Sequence, residues 1–122
     1  FRRQRQMCIR DSIADSYGKI VDGTLIGDNL GNAIYAASKR GVIFNGSVRD
    51  VEGLSEIDGL NFCIRGSDPS AIREMMVASI NAPIRVGCAT VPAGDVILAK
   101  STGVAFIPPH LVLEVVIRCV CR

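Results

Sequence analysis

The chain has 122 residues, 48% of them hydrophobic and 21% charged, with 5% aromatic content and no tryptophan. This composition suits one small α/β or α+β domain with an aliphatic core. It argues against disorder, and no run of eighteen uninterrupted apolar residues suggests a membrane span. The net charge of +2 hints at an anionic partner such as nucleic acid, but the hint rests on the first twelve residues alone.

Those residues, Phe1 to Ser12, read FRRQRQMCIRDS and resemble the translated adapter peptide found at the ends of metagenomic gene fragments. No hydrophobic stretch follows that would make them a signal sequence. They hold four of the fourteen basic residues and one of the twelve acidic ones, so setting them aside moves the balance from +2 to −1. Nucleic acid and anionic membranes then lose their electrostatic case, and residues 13–122 are taken as the domain.

From Lys19 to Ile26 the pattern predicts a strand or the end of one, and Gly27-Asp28-Asn29 a turn that caps the next helix. Over Asn29 to Arg40 the apolar residues Leu30, Ala33, Ile34 and Ala37 recur at helical spacing. Lys39-Arg40 and Gly41 supply the stop. Val42 to Phe44 reads as a short buried strand, Asn45-Gly46-Ser47 as a turn, and Val48-Arg49-Asp50 as the strand's carboxyl end. A short helix over Val51 to Ile57, a strand over Asn61 to Arg65 and a polar turn over Gly66 to Ser70 follow.

Past Met75 the rhythm changes to apolar runs separated by turns: Ile84 to Val91, Val96 to Ala99 and Val104 to Ile107. This half predicts antiparallel sheet. Pro108-Pro109 closes it, and His110 to Arg118 predicts a last amphipathic helix. The five cysteines form no disulfide framework. Cys63 and Cys88 read as buried free thiols, and the one histidine has no cysteine nearby to build a zinc site. Free thiols and the lack of an export signal favour the cytoplasm.

Polar residues that structure alone does not demand are few. A strand-helix-strand unit returns Asp28 and Arg49-Asp50 to one sheet edge, where ligands of α/β domains bind. The amides of Asn29, Leu30 and Gly31 offer an anion site at the helix start, and the Arg49 guanidinium can grip a carboxylate. Asp50, beside that arginine and facing an acid ligand, reads as a ligand for a hard divalent cation such as Mg2+ or Mn2+. An Arg-Asp pair after a strand also occurs as a surface ion pair or a turn cap.

The pieces GDNL (27–30), RGVIFNGSVRD (40–50), FCIRGSDPS (62–70) and PIRVGCATVPAGDVILAKSTGVAFIPP (83–109) resemble the RraA-like family. That family includes 4-hydroxy-4-methyl-2-oxoglutarate aldolases and regulators of ribonuclease E activity. The resemblance implies a mixed α/β domain of the swivelling β/β/α type, of which this chain is the C-terminal portion, truncated at its N-terminus. In the aldolase branch it implies a substrate loop of Gly27, Asp28, Asn29 and Leu30, substrate contact by Arg49, a catalytic part for Arg49 and Asp28, and divalent metal on Asp50. The implied reaction is cleavage of a 4-hydroxy-2-oxo acid to pyruvate, with oxaloacetate decarboxylation alongside. A homotrimer is implied for the full-length protein. In the regulator branch the same fold inhibits ribonuclease E without catalysis, and the acid that opens the motif, here Asp28, is typically replaced.

Overall fold

A computed structural model describes residues 12–120 of the chain. The adapter-like stretch up to Asp11 and its Cys8 lie outside the described residues. So do Cys121 and Arg122. Ser12, which composition groups with that stretch, opens a strand. The chain divides into two compact units, residues 1–76 and 77–122, and these separate the expected parallel half from the antiparallel half.

In the first unit three strands, β1 (Ser12–Asp15), β2 (Val42–Val48) and β3 (Phe62–Ser67), form a parallel sheet with β2 in the centre. Ser12 pairs with Val42 and Val42 with Phe62, so the strands start level. Helix α1 (Asp28–Ser38) crosses from β1 to β2, and α2 (Val51–Ser55) from β2 to β3. Every residue of β2 is buried, as expected for a central strand covered on both faces.

Two sequence expectations change here. Lys19 to Ile26 is not a strand along its length: turns close from Lys19 to Ser16 and from Gly23 to Ile20, and only its end, Thr24 to Ile26, runs beside β2. The first strand is instead Ser12–Asp15, too short and too close to the foreign-looking segment to show a pattern. Asn45-Gly46-Ser47 is not a turn but the interior of β2. The sheet tolerates it because its polar groups find partners. Asn45 donates to Asp15 and accepts from Arg65 Nε, while the Ser47 hydroxyl donates to the Ile20 carbonyl at 2.6 Å. A register shift between Phe44 and Ser47 absorbs the irregularity.

Helix α1 begins one residue earlier than expected, with Gly27 of the Gly27-Asp28-Asn29 turn in the N-cap position. It ends at Ser38, where Lys39 takes the left-handed conformation, donates its amide to the Tyr35 carbonyl and lays its ammonium over the Tyr35 ring. Gly41 is therefore not the helix stop. A side chain there would strike the Asn61 carbonyl, so its smallness serves the close passage into β2.

The core of this unit is Ile26, Val42, Phe44, Val48, Leu54 and Leu60, flanked by Ile34, Tyr35, Ile57, Phe62 and Ile64. Leu54 is fully enclosed and fills the space above Gly31, where any added carbon would overlap it. A short helix such as α2 gains nearly all its stability from that burial. Leu54→Ala is expected to destabilise the unit by about 2–5 kcal/mol, read as a lowered midpoint in urea unfolding. A loss below about 1 kcal/mol would contradict this packing.

The second unit holds two antiparallel hairpins, β4 (Ile84–Val86) with β5 (Ala89–Val91) and β6 (Val96–Lys100) with β7 (Gly103–Ile107). The apolar run from Ile84 to Val91, read as continuous, is broken at Gly87-Cys88, where Gly87 has φ +61°. Cys88 is thus exposed at a hairpin turn rather than buried, and Cys63 is half-buried. One turn of 3-10 helix (Pro109–Leu111) leads into α3 (Val112–Val120), two residues later than expected. Glu114 and Arg118 pair on α3 at 2.7 Å. Among the described residues, no helix is long and apolar enough to cross a membrane.

Candidate active site

Beyond the carboxyl ends of β1 and β3, β2 keeps partners on both sides. The segment Thr24 to Ile26 runs beside it, with the Leu25 amide on the Ser47 carbonyl at 2.9 Å and the Arg49 amide on the Ile26 carbonyl at 3.0 Å. On the other side the Asp68 amide donates to the Val48 carbonyl at 3.0 Å. Arg49-Asp50 therefore leaves the sheet between two braced chains. The brace on the Asp68 side is reinforced: its carbonyl accepts the Thr24 hydroxyl at 3.1 Å, and its carboxylate accepts both the amide and the hydroxyl of Ser70. Those two donors hold the Asp68 carboxyl below the ordinary carboxylate range.

Asp50 itself sits at φ 55°, ψ 45°, a left-handed conformation that aspartate tolerates better than most residues. It occupies the N-cap position of α2 yet makes no side-chain capping bond. Its Oδ2 instead lies 3.5 Å from Arg49 Nε, with both side chains about half exposed, 48% and 50%. The turn-cap reading of this pair is thereby removed. An ion pair does form, and it stands in a specific place. A Cβ on Gly27 would come within 2.6 Å of Asp50 Oδ2 and 3.0 Å of Arg49 Nε. The glycine lets the start of α1 rest directly against both charged groups, whose half-exposed heads a side chain there would have to displace.

Asp28 follows at the first position of α1. Its Oδ1 accepts the Asn29 amide at 2.6 Å, and its side chain packs over Gly53 of α2. Of the three amides expected to form an anion site, that of Asn29 is thus occupied by Asp28, and that of Gly31 by the Gly27 carbonyl at 2.9 Å. The preformed anion site is smaller than the spacing suggests, which leaves more of the recognition of an acid to Arg49. Asn29 and Leu30 are exposed on the first turn of α1. Gly27, Arg49 and Asp50 are brought into direct proximity, with Asp28 on the adjoining residue.

No group of three or more His, Cys, Asp or Glu able to hold a metal occurs among the described residues. A soft-ligand metal such as zinc does not fit this donor set. A hard divalent ion does, because Mg2+ binds through one or two carboxylates and keeps its remaining waters, and Asp50 presents a half-exposed carboxylate not consumed by a cap.

Two contributors escape a reading of sequence. Gly53 has a signal only in retrospect, as a glycine inside a helix. Asp68 lies in a Ser-Asp-Pro-Ser run that looks like an ordinary turn.

The sequence profile of the RraA-like family, described as Aldolase/RraA, matches residues 12–106. A Shewanella oneidensis protein named "Putative 4-hydroxy-4-methyl-2-oxoglutarate aldolase" is 34% identical over 92 residues, covering 70% of this chain and 56% of that protein. Protein DlpA of Legionella pneumophila is 31% identical over 104 residues, 85% of this chain and 17% of its own length. Among solved structures, the RNA-processing inhibitor RraA from Thermus thermophilus superposes with a TM-score of 0.73 at 24% identity, covering 80% of this chain and 58% of that one. Streptomyces coelicolor RraAS2, described as an unusual member of the RNase ES inhibitor RraA protein family, superposes with a TM-score of 0.79 at 20% identity. It covers 92% and 57% of the two chains. The structural likenesses carry the fold, a mixed α/β arrangement, and the chain spans little more than half the length of the aldolase-named relative.

Proposed function

The chain belongs to the RraA-like family, and from that premise we propose that it carries the site of a divalent-metal-dependent aldolase acting on 4-hydroxy-2-oxo acids. Cleavage of 4-hydroxy-4-methyl-2-oxoglutarate and its kin to pyruvate is the main reaction, with oxaloacetate decarboxylation as a side activity. The observation that carries this reading is the meeting of Arg49 and Asp50 against Gly27 at the carboxyl edge of the sheet. The aldolase-named relative supports it.

The chemistry asks for three services. The substrate's carboxylate and 2-oxo group must be held in one plane, and the Arg49 guanidinium can do so with two parallel hydrogen bonds. The proton of the 4-hydroxyl must leave. Asp28 Oδ2, the oxygen not engaged by the Asn29 amide, can orient a water to receive it. The C3–C4 bond then breaks, its electron pair passes into the 2-oxo group as an enolate, and protonation at C3 gives pyruvate. Charge that develops on that oxygen is stabilised by Arg49, preorganised by its backbone bond to Ile26. A divalent cation held by Asp50 would supply Lewis acidity toward the same oxygen. Decarboxylation of oxaloacetate passes through the same enolate and needs no added group.

The proposal extends to a homotrimer of the full-length protein and a cytoplasmic location, the latter supported by the free Cys63, Cys88 and Cys119. A second reading, inhibition of ribonuclease E without catalysis, draws on the neighbours named as RraA inhibitors. The retained Asp28 favours the enzyme, since an interaction surface has no need of a carboxylate there. The deciding experiment is pyruvate release from oxaloacetate and from a 4-hydroxy-2-oxo acid, with Mg2+ or Mn2+ and with chelator. Turnover that chelator abolishes is expected. Inactivity with every divalent ion, together with capture of a ribonuclease, would establish the inhibitor instead.

A further inference from the structure

Gly53 is the third residue of the five-residue helix α2, a place where almost any other residue forms helix better. It faces the start of α1. A Cβ built on it would lie 2.9 Å from Asp28 Cβ and 3.3 Å from Asp28 Oδ2. The first contact is with the root of the side chain rather than its flexible end, so no rotation of Asp28 relieves it, and α1 or Asp28 as a whole must shift. Gly31 meets Leu54 between the same two helices, but that contact lies in the apolar core and already has a packing reason. Gly53 lies outside that core, and its neighbour is the side chain of Asp28.

We infer that Gly53 is a positioning residue that sets where the Asp28 carboxylate stands. The inference rests on the aldolase reading for its kinetic consequence, but not for its structural one. The atoms nearest a Cβ on Gly53 all belong to Asp28, whereas Arg49 and Asp50 meet Gly27, so the first displacement falls on the Asp28 carboxylate. The placement of the water that takes the hydroxyl proton is what changes.

Gly53→Ala in the whole chain is expected to lower kcat about tenfold to a hundredfold, the scale of a small misplacement of a reacting group, with KM within about twofold. The thermal midpoint should change little, since alanine's preference for helix offsets the cost of displacing Asp28. In an Asp28→Asn background the same change should cost almost nothing further. Should Gly53→Ala fail to fold, the pair Asp28→Gly with Gly53→Ala should fold, because the clash partner is gone. Losses that add independently, a kcat fall that tracks a fall in thermal midpoint, or a double variant that stays unfolded would overturn the inference. Carbon-13 NMR of the Asp28 carboxyl gives a readout free of turnover. Its chemical shift should differ between the parent chain and Gly53→Ala, and coincidence of the two resonances sinks the inference. A parent chain that releases no pyruvate sinks the aldolase reading instead, leaving the NMR result to stand or fall alone.

Discussion

Arg49→Lys is expected to reduce kcat/KM for pyruvate release by about a hundredfold to a thousandfold, the range seen when one preorganised donor to a developing oxyanion is lost. Charge is conserved in this change, so a site that used Arg49 only as a positive point would hardly respond. The loss arises from shape. A guanidinium offers parallel donors to a planar carboxylate and 2-oxo pair, whereas an ammonium reaches one oxygen at a time. Arg49 also rests its Nε 3.5 Å from Asp50 Oδ2, a contact that lysine, which lacks that nitrogen, cannot reproduce. Steady-state kinetics with circular dichroism as a check on folding would measure the effect. Retention of activity within about twofold would remove Arg49 from the mechanism.

Asp50→Ala should abolish both turnover and its dependence on divalent metal, a loss of about a thousandfold or more if the cation is the main partner of the enolate charge. The substitution carries a second effect that must be separated. Asp50 sits at φ 55°, and alanine in the left-handed region is strained by roughly 1–2 kcal/mol, so part of the damage would come from the backbone at the start of α2. Asp50→Asn avoids this. Asparagine accepts the left-handed conformation, keeps the outline of the side chain and loses only the charge. Binding of Mn2+ followed by electron paramagnetic resonance should be weakened in both variants, with Asp50→Asn unfolding at the parental midpoint and Asp50→Ala below it. Undiminished Mn2+ binding in Asp50→Asn would place the cation elsewhere or nowhere.

The two predictions share a physical origin. Arg49 and Asp50 are half exposed, where ion pairs contribute little to stability, so their pairing alone gives no reason for the fold to hold them. Yet the backbone around them is braced on both sides, by Ile26 and by Asp68, and a glycine is placed against both heads. Glycines also stand where the start of α1 meets Arg49 and Asp50 and where α2 meets Asp28.

Much of this was open to a reader of the sequence alone. The acid, the twenty intervening residues and the Arg-Asp pair mark both ends of a strand-helix-strand unit, and such a unit has one handed way to fold, which returns its loops to one sheet edge. The span of α1, the buried character of β2 and the hairpins after Met75 are likewise patterns of nearest neighbours in the chain. What only the tertiary structure decided are matters of pairing across distance. Ser12–Asp15 becomes a strand because Val42 to Asn45 offers it a ladder, while Lys19 to Ile26, more strand-like by composition, is diverted by its turns. Asn45-Gly46-Ser47 stays extended because Asp15, Arg65 and Ile20 satisfy its polar groups, partners that lie between 20 and 30 residues away. The same holds at the site. Residue types announced Arg49 and Asp50, but that Gly27 touches both, and that Gly53 governs Asp28, follows from how closely α1 and α2 approach, a distance set by core packing that no local pattern encodes.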